Sequence, residues 1–141
     1  MFDIRKEVPS LELCKRLKEL GYPQDWDGWR WEKLRGKSEY EIGYVENPLY
    51  KLNPFVDDFI KAPTVRELGE WLPDKIPLNE YGRKGVIRFY KEKGKYIYTI
   101  YDLVKDDDIE FFSDEYEVNA RTKLLIWLKE NEYIEFRKRG E

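Results

Sequence analysis

The segment over residues 85–103 constrains the fold more than any other part of the chain. It contains two runs of β-branched and aromatic residues, 86–91 and 95–101, which are separated by Glu92 and the dipeptide Lys93-Gly94. Residues of these types favour strands, and a glycine-containing dipeptide between two such runs is typical of a tight hairpin turn. The sequence therefore predicts an antiparallel hairpin that turns at Lys93-Gly94.

Other segments show the alternation of half-buried strands. Trp29 and Trp31 alternate with charged residues. Over residues 39–44, Tyr40, Ile42 and Tyr44 alternate with two glutamates and a glycine. These two segments predict a second hairpin, and residues 108–112 are expected to add a short edge strand. Residues 46–62 contain two prolines, which argue against regular structure. Their apolar residues are expected to face inward from one helical turn: Phe55, Val56, Phe59 and Ile60.

Two helices are predicted from the residues at their ends. Residues 9–21 have Ser10 as a favourable N-cap and Gly21 at the position where many helices end in a left-handed conformation. Residues 64–72 begin with a capping-box sequence at Thr64, and a proline follows the helix directly. Both segments carry apolar residues at helical spacing, so each is expected to pack one face against a core.

The longest predicted helix covers residues 114–131. Ser113 is its expected N-cap, and acidic residues occupy the first turn. Helices and hairpins together predict an α+β fold, with an antiparallel sheet of four to five strands and about three helices packed on one face. The length of 141 residues favours a single domain, 1–141, and a short mobile tail is expected at about 135–141.

The composition restricts the chemistry of the chain. It has no histidine, which removes the commonest general base and metal ligand near neutral pH. The single cysteine, Cys14, cannot form an intramolecular disulfide, and its place on an apolar helix face predicts a packed thiol. These features favour a chain that is not an enzyme and predict neither metal nor cofactor. Carboxylates at 57–58 and 106–108 leave a cation site as an open alternative.

Targeting signals are lacking in the sequence. The first residues do not contain the apolar core of a signal peptide, and the longest apolar run, 124–128, falls far short of the ~20 residues of a membrane span. The sequence therefore predicts a cytoplasmic protein without a membrane partner.

A basic segment rich in aromatic residues favours nucleic-acid binding as an alternative function. Residues 81–95 carry six cations against one acid, and aromatic rings lie between them. The candidate contacts are Arg83, Lys84, Arg88 and Lys91. Residues 102–117 carry eight acids against one lysine, and the net charge of the chain is −3, which opposes a nucleic-acid binder.

Protein–protein contact is the function that the composition favours most. The chain has eleven Tyr and five Trp, residue types that are enriched at the cores of interfaces. A protein partner or a homo-oligomer is therefore predicted, with nucleic acid as the less favoured partner. The candidate interaction surface consists of Trp26, Tyr96, Tyr98 and Tyr101. Trp26 is also the residue best placed to stack on a sugar, if the chain binds carbohydrate instead.

Three blocks resemble an uncharacterised group of small bacterial proteins found in phage and mobile-element contexts. The blocks are 10–22, 62–73 and 120–131, and they occur in this order. The resemblance implies an accessory role rather than a place in core metabolism. It assigns no catalytic residue to any position of this chain.

Overall fold

The described part of the chain combines two antiparallel sheets with helices. The computed structural model describes residues 2–25, 27–45, 55–78 and 83–136. The described elements, in chain order, are α1 (Ile4–Glu7), α2 (Leu11–Glu19), β1 (Gly28–Leu34), β2 (Tyr40–Val45), β3 (Val56–Lys61), α3 (Val65–Gly69), β4 (Ile76–Pro77), β5 (Lys84–Glu92), β6 (Lys95–Asp102), β7 (Asp107–Asp114) and α4 (Glu117–Glu130). Helix α2 contacts β3 and α4, and α4 in turn contacts β6 and β7.

The predicted α+β class is confirmed, but the single sheet is replaced by two. The strands of the first sheet lie in the order β2-β1-β3, and those of the second in the order β4-β5-β6-β7. All pairs are antiparallel. Alternation along a strand shows that one side is buried, but it does not show which hairpins share hydrogen bonds. The division into two sheets therefore has no local signal in the sequence.

The two predicted hairpins are both present. Strand β5 pairs with β6 up to Glu92 opposite Lys95, so that Lys93 and Gly94 form a two-residue turn. Their φ angles are 50° and 78°, which is the left-handed pair that matches the twist of a hairpin. Strand β1 also pairs antiparallel with β2, with Trp31 opposite Ile42, and the longer segment 35–39 connects the two strands.

The predicted ends of α2 and the predicted start of α3 are confirmed, whereas the predicted end of α3 at residue 72 is wrong, because the helix ends at Gly69. The Ser10 hydroxyl accepts a hydrogen bond from the backbone N–H of Leu13 at 3.4 Å. At the other end Gly21 has a φ of 96°, and its N–H donates to a carbonyl of the last turn, which closes a Schellman motif. The capping box of α3 has both of its bonds, because Thr64 and Glu67 each accept from the other's backbone N–H.

Two predictions about element boundaries are wrong. Residues 56–61 form strand β3 rather than a helical turn, because the free edge of β1 accepts them as a third strand, with Ile60 opposite Trp31. Ser113 does not cap α4, since β7 continues through Asp114, which lies opposite Tyr96. Helix α4 starts three residues after Asp114, and its N-cap residue makes no side-chain cap hydrogen bond.

Helix α4 is buried on more than one side. Val118, Leu125 and Ile126 pack with residues of α2 and α3, whereas Leu124 and Leu128 pack against the second sheet. Thr122 lies within this buried helix, and its hydroxyl donates to the carbonyl of Val118 at 2.7 Å, which satisfies the polar atom. No helix among the described residues is both long and apolar enough to cross a membrane.

The second residue of the segment predicted as a mobile tail, Phe136, is packed. The ring of Phe136 lies edge-on to Tyr22 and Trp71, with centroids 5.1 and 5.3 Å apart. Residues 137–141, the rest of that predicted tail, lie outside the described residues.

Asp114 links β7 to α4, and its titration provides a test of this junction. Burial would raise the pKa of Asp114, but hydrogen bonds from the Tyr116 N–H, Lys123 and Asn119 outweigh it and lower the pKa below 3.8. A lowered pKa contributes stability above the unfolded value, and this contribution is lost as the pH falls through the folded value. As the pH falls below about 4, we expect the free energy of unfolding to decrease less in Asp114→Asn than in the wild type. Urea unfolding at several pH values measures this difference. An unchanged acid dependence would contradict this account.

Candidate protein-binding face

The second sheet has one covered side and one open side. Tyr98 and Ile100 of β6 point toward α4 and pack with its apolar residues. Side chains alternate along a strand, so the intervening residues of β6 point to the opposite side, together with their cross-strand partners on β5 and β7. We call this opposite side the outer face. Its residues are Val86, Arg88, Tyr90, Glu92, Lys95, Ile97, Thr99, Tyr101, Asp108, Ile109, Phe111 and Ser113.

Several large apolar side chains of the outer face are exposed. Phe111 is 57% exposed, Ile109 is 39% exposed and Tyr90 is 36% exposed. Strands β6 and β7 make their helix contacts with α4, which lies on the other side of the sheet. The described helices therefore leave these side chains in contact with water.

The centre of the outer face is polar but fully satisfied. Thr99 is completely buried between Arg88 on one neighbouring strand and Phe111 on the other. Its hydroxyl donates to a carboxylate oxygen of Asp108 at 2.8 Å. The guanidinium of Arg88 lies 4.6 Å from the ring centroid of Tyr101. The face therefore combines exposed apolar groups with charged groups of both signs.

A bulge in β7 widens the apolar part of this face. The pairing moves from Ile100 opposite Glu110 to Tyr101 opposite Asp108, so Ile109 is an extra residue in the strand. A bulge places two successive side chains on nearly the same side. Asp108 and Ile109 consequently both belong to the outer face.

The loop between β6 and β7 extends the apolar surface at one end. Leu103 is 49% exposed and Val104 is 70% exposed. The carboxylate of Asp102 accepts hydrogen bonds from the N–H groups of Val104 and Lys105, at 2.9 and 3.2 Å, and forms a buried ion pair with Arg83. These bonds hold the loop in place while its two apolar side chains face water.

The structure separates the residues of the predicted interaction surface. Trp26 lies outside the described residues. Tyr101 lies on the outer face. Tyr96 and Tyr98 are two residues apart on β6 and therefore share one side of the sheet, which is the side that packs against α4. Tyr98 is only 2% exposed, so its burial removes it from any surface of the protein.

The Tyr98 hydroxyl is instead the centre of a buried network. It donates to Glu117 at 3.1 Å and accepts from the Nε of Arg121 at 2.8 Å. Arg121 also donates to the backbone carbonyl of Val65 at 2.8 Å, which connects α4 to α3. Burial raises the pKa of Tyr98 to about 12 although the arginine opposes this shift. The hydroxyl therefore stays protonated and holds three elements together.

The predicted nucleic-acid contacts are only partly available. Arg83 is engaged by the buried carboxylate of Asp102. Arg88 and Lys91 lie over the rings of Tyr101 and Tyr96, at 4.6 and 4.8 Å from the centroids. Lys84 is exposed at the start of β5. Residues 81 and 82, where the predicted basic segment begins, lie outside the described residues.

The predicted acidic clusters do not form a metal site within the described residues. No group of three or more acidic, cysteine or histidine side chains in these ranges could hold a metal ion. Asp58 accepts a hydrogen bond from Tyr40 at 2.5 Å, and Asp57 pairs with Arg35 at 3.9 Å, far along the chain from the acids of β7. The buried Cys14 thiol has its pKa raised by burial to about 12, which keeps it in the unreactive protonated form.

Sequence reasoning missed the residues that make the outer face apolar. Ile109 and Phe111 alternate with Glu110, a pattern that indicates an edge strand with one apolar side. That pattern was available in the sequence, but it does not show that the apolar side points away from the helices. The exposure of Leu103 and Val104 depends on the loop geometry that Asp102 imposes, which has no simple sequence signal.

Comparison with known proteins provides no functional assignment. No protein-family model matches the chain, and no curated protein or solved structure matches it either. The geometry of the outer face is therefore the basis for a functional proposal.

The buried position of Tyr98 leads to a stability prediction. Tyr98→Phe leaves Glu117 and Arg121 without their shared partner, so we expect a loss of about 1–2 kcal/mol in the free energy of unfolding. Tyr101→Phe is the matched control, because Tyr101 is partly exposed on the outer face, and we expect a change within about 0.5 kcal/mol. Urea unfolding measures both variants. Equal effects of the two substitutions would contradict the assignment of Tyr98 to the core.

Proposed function

We propose that this chain is a non-catalytic protein-interaction or accessory domain, and that the outer face is its contact surface. The observation that supports this proposal is the exposed apolar group on one side of the second sheet, with Phe111 57% exposed. Contiguous exposed apolar surface is uncommon on monomeric proteins and marks sites of interaction. Aromatic residues beside an arginine are also the composition of interface cores.

A second copy of the chain is the first partner to consider. Most soluble oligomers are homo-oligomers, and a two-fold axis places the same patch of each copy against the other. The outer face contains the cations Arg88 and Lys95 and the acid Glu92, so each copy offers both signs of charge to its partner. Two sheet faces that pack in this way bury their apolar side chains between them.

Nucleic acid is the second candidate partner, supported by the exposed cations of β5. Stacking of bases requires free aromatic faces. Arg88 lies over Tyr101 and Lys91 lies over Tyr96, so those two rings already have cations on one side. Strand β7, one strand beyond β6, carries four acids and no base, which weakens the attraction for a polyanion.

The cellular setting is part of the proposal. The single buried thiol of Cys14 fits a reducing, cytoplasmic compartment. An accessory role in a phage or mobile-element context is supported by the resemblance of the three helix blocks and by nothing else.

Self-association measured by sedimentation tests the proposed face. We expect an association that persists from about 50 to about 500 mM salt, because burial of apolar area depends little on ionic screening. Ile109→Ser combined with Phe111→Ser should weaken it at least about tenfold, since exposed anchors of this kind dominate interface energetics. Both residues lie on an exposed side of an edge strand, so the double variant should keep its fold, which circular dichroism verifies.

The control is Phe55→Ser, which changes an aromatic residue that is 65% exposed elsewhere on the molecule. It should leave the association unchanged. A chain that stays monomeric at every accessible concentration would contradict self-association. Binding of short DNA or RNA that Arg88→Glu abolishes would favour the nucleic-acid alternative.

A further inference from the structure

The second sheet has an open edge along β5. Strand β4 pairs with β5 only at Lys84 and Gly85, and on its other side β5 pairs with β6 along its whole length. From Val86 to Glu92, β5 therefore has no second neighbouring strand within the described ranges. A row of backbone N–H and C=O groups without strand partners is a template for another strand.

Uncompensated positive charge is concentrated at this edge. Residues 84–95 carry five cations against a single acid, Glu92. None of those five cations forms an ion pair with a residue of the described ranges, whereas five of the ten other described lysines and every other described arginine except Arg66 do so. All residues from 88 to 95 are exposed. The second half of β5 thus presents cations without ion-pair partners along an open strand edge.

Aromatic side chains accompany these cations on both sides of the strand. Phe89 is 48% exposed on the side of α4, and Tyr90 is 36% exposed on the outer face. An added strand would place its side chains beside these two rings and beside Arg88 and Lys91. The recognition elements are therefore a backbone edge, cations and flanking aromatic rings.

We propose that the β5 edge binds an extended acidic segment of another protein, which adds to the second sheet as a further strand. This inference rests on the proposed function only in treating the chain as a protein-binding domain, and it uses a different surface. Backbone pairing supplies affinity in this mode, and alternate side chains supply specificity. Acidic side chains of the incoming strand would pair with Arg88 and Lys91.

The edge favours a peptide over nucleic acid and over a second copy of the chain. Nucleic acid cannot pair with the free backbone groups of β5 in the register of a strand. The acidic strand β7 of a second copy has two of its acids engaged, since Asp108 binds Thr99 and Asp114 binds Lys123. Pairing of β5 with β7 between copies would also be head-to-tail, which extends without closing unless the geometry forms a ring.

Fluorescence anisotropy with three labelled peptides tests this proposal on the full chain. The first is a capped octapeptide in which two Glu alternate with two Val, so that acids lie on both faces of the added strand, as Arg88 and Lys91 do. The second carries N-methyl groups on the Val amides, and the third has Lys in place of Glu. The first should bind, and its affinity should fall at least about fivefold between about 20 and about 200 mM salt. The second and third should bind at least about tenfold more weakly, because one lacks strand donors and the other lacks the charge.

Paired variants locate the site. Arg88→Glu with Lys91→Glu should weaken binding of the Glu peptide at least about tenfold. Lys6→Glu with Lys37→Glu is the control, because both residues are exposed, one on α1 and one in the turn between β1 and β2, and the net charge changes equally. This control should alter binding by less than about twofold, since its charges lie away from the edge.

The remaining outcomes separate this inference from the proposed function. Ile109→Ser with Phe111→Ser should retain peptide binding even where self-association is lost. Self-association of the wild type without binding of the Glu peptide would overturn the edge proposal alone. Equal binding of the N-methylated peptide would overturn strand addition, and a thymidine dodecamer that binds more tightly than the Glu peptide would assign the edge to nucleic acid. Growth of the chain into long species at low salt, blocked by a peptide of residues 107–114, would assign it to a second copy.

Discussion

Helix α4 is the element on which the rest of the structure depends. One part of its surface packs with α2 and α3 through Val118 and Leu125, and another packs with the second sheet through Leu124 and Leu128. A helix that is apolar on more than one side has to be buried on more than one side. The fold satisfies this requirement, because α2 and α3 cover one side of α4 and the second sheet covers another. Each buried leucine of this helix contributes about 1.5–3 kcal/mol relative to an exposed position, so the helix carries a large part of the stability.

The position of α4 also determines which surfaces are free. It covers one side of the second sheet and fixes it there through the network of Tyr98, Glu117 and Arg121. The opposite side receives no helix from the described part of the chain, and the outer face is the consequence. The two edges of the same sheet differ in charge, with cations along β5 and acids along β7. A sheet with one open apolar face and one open basic edge has two distinct surfaces for partners.

Local signals in the sequence predicted local structure well. The Lys93-Gly94 turn, the Ser10 N-cap and the capping box at Thr64 depend on residues within a few positions of each other, and all three are present. Features that depend on distant parts of the chain were not predictable in this way. Strand β3 formed because β1 offered a free edge, and β7 ran through Ser113 because β6 offered partners. The candidate site follows the same division: Tyr101 was identified on the open side, but the side of Tyr96 and Tyr98 was determined by where α4 packs.

Concentration-dependent chemical-shift mapping by NMR tests the central claim most directly, because it reports which surface of the chain makes contact without any substitution. As the protein concentration rises, the account predicts shift changes at the amides of the outer face, centred on Thr99, Tyr101 and Phe111. The amides of the hairpin formed by β1 and β2 should keep their positions. Shift changes centred on that hairpin, with the outer face unaffected, would contradict the assignment of the outer face as the protein-binding surface.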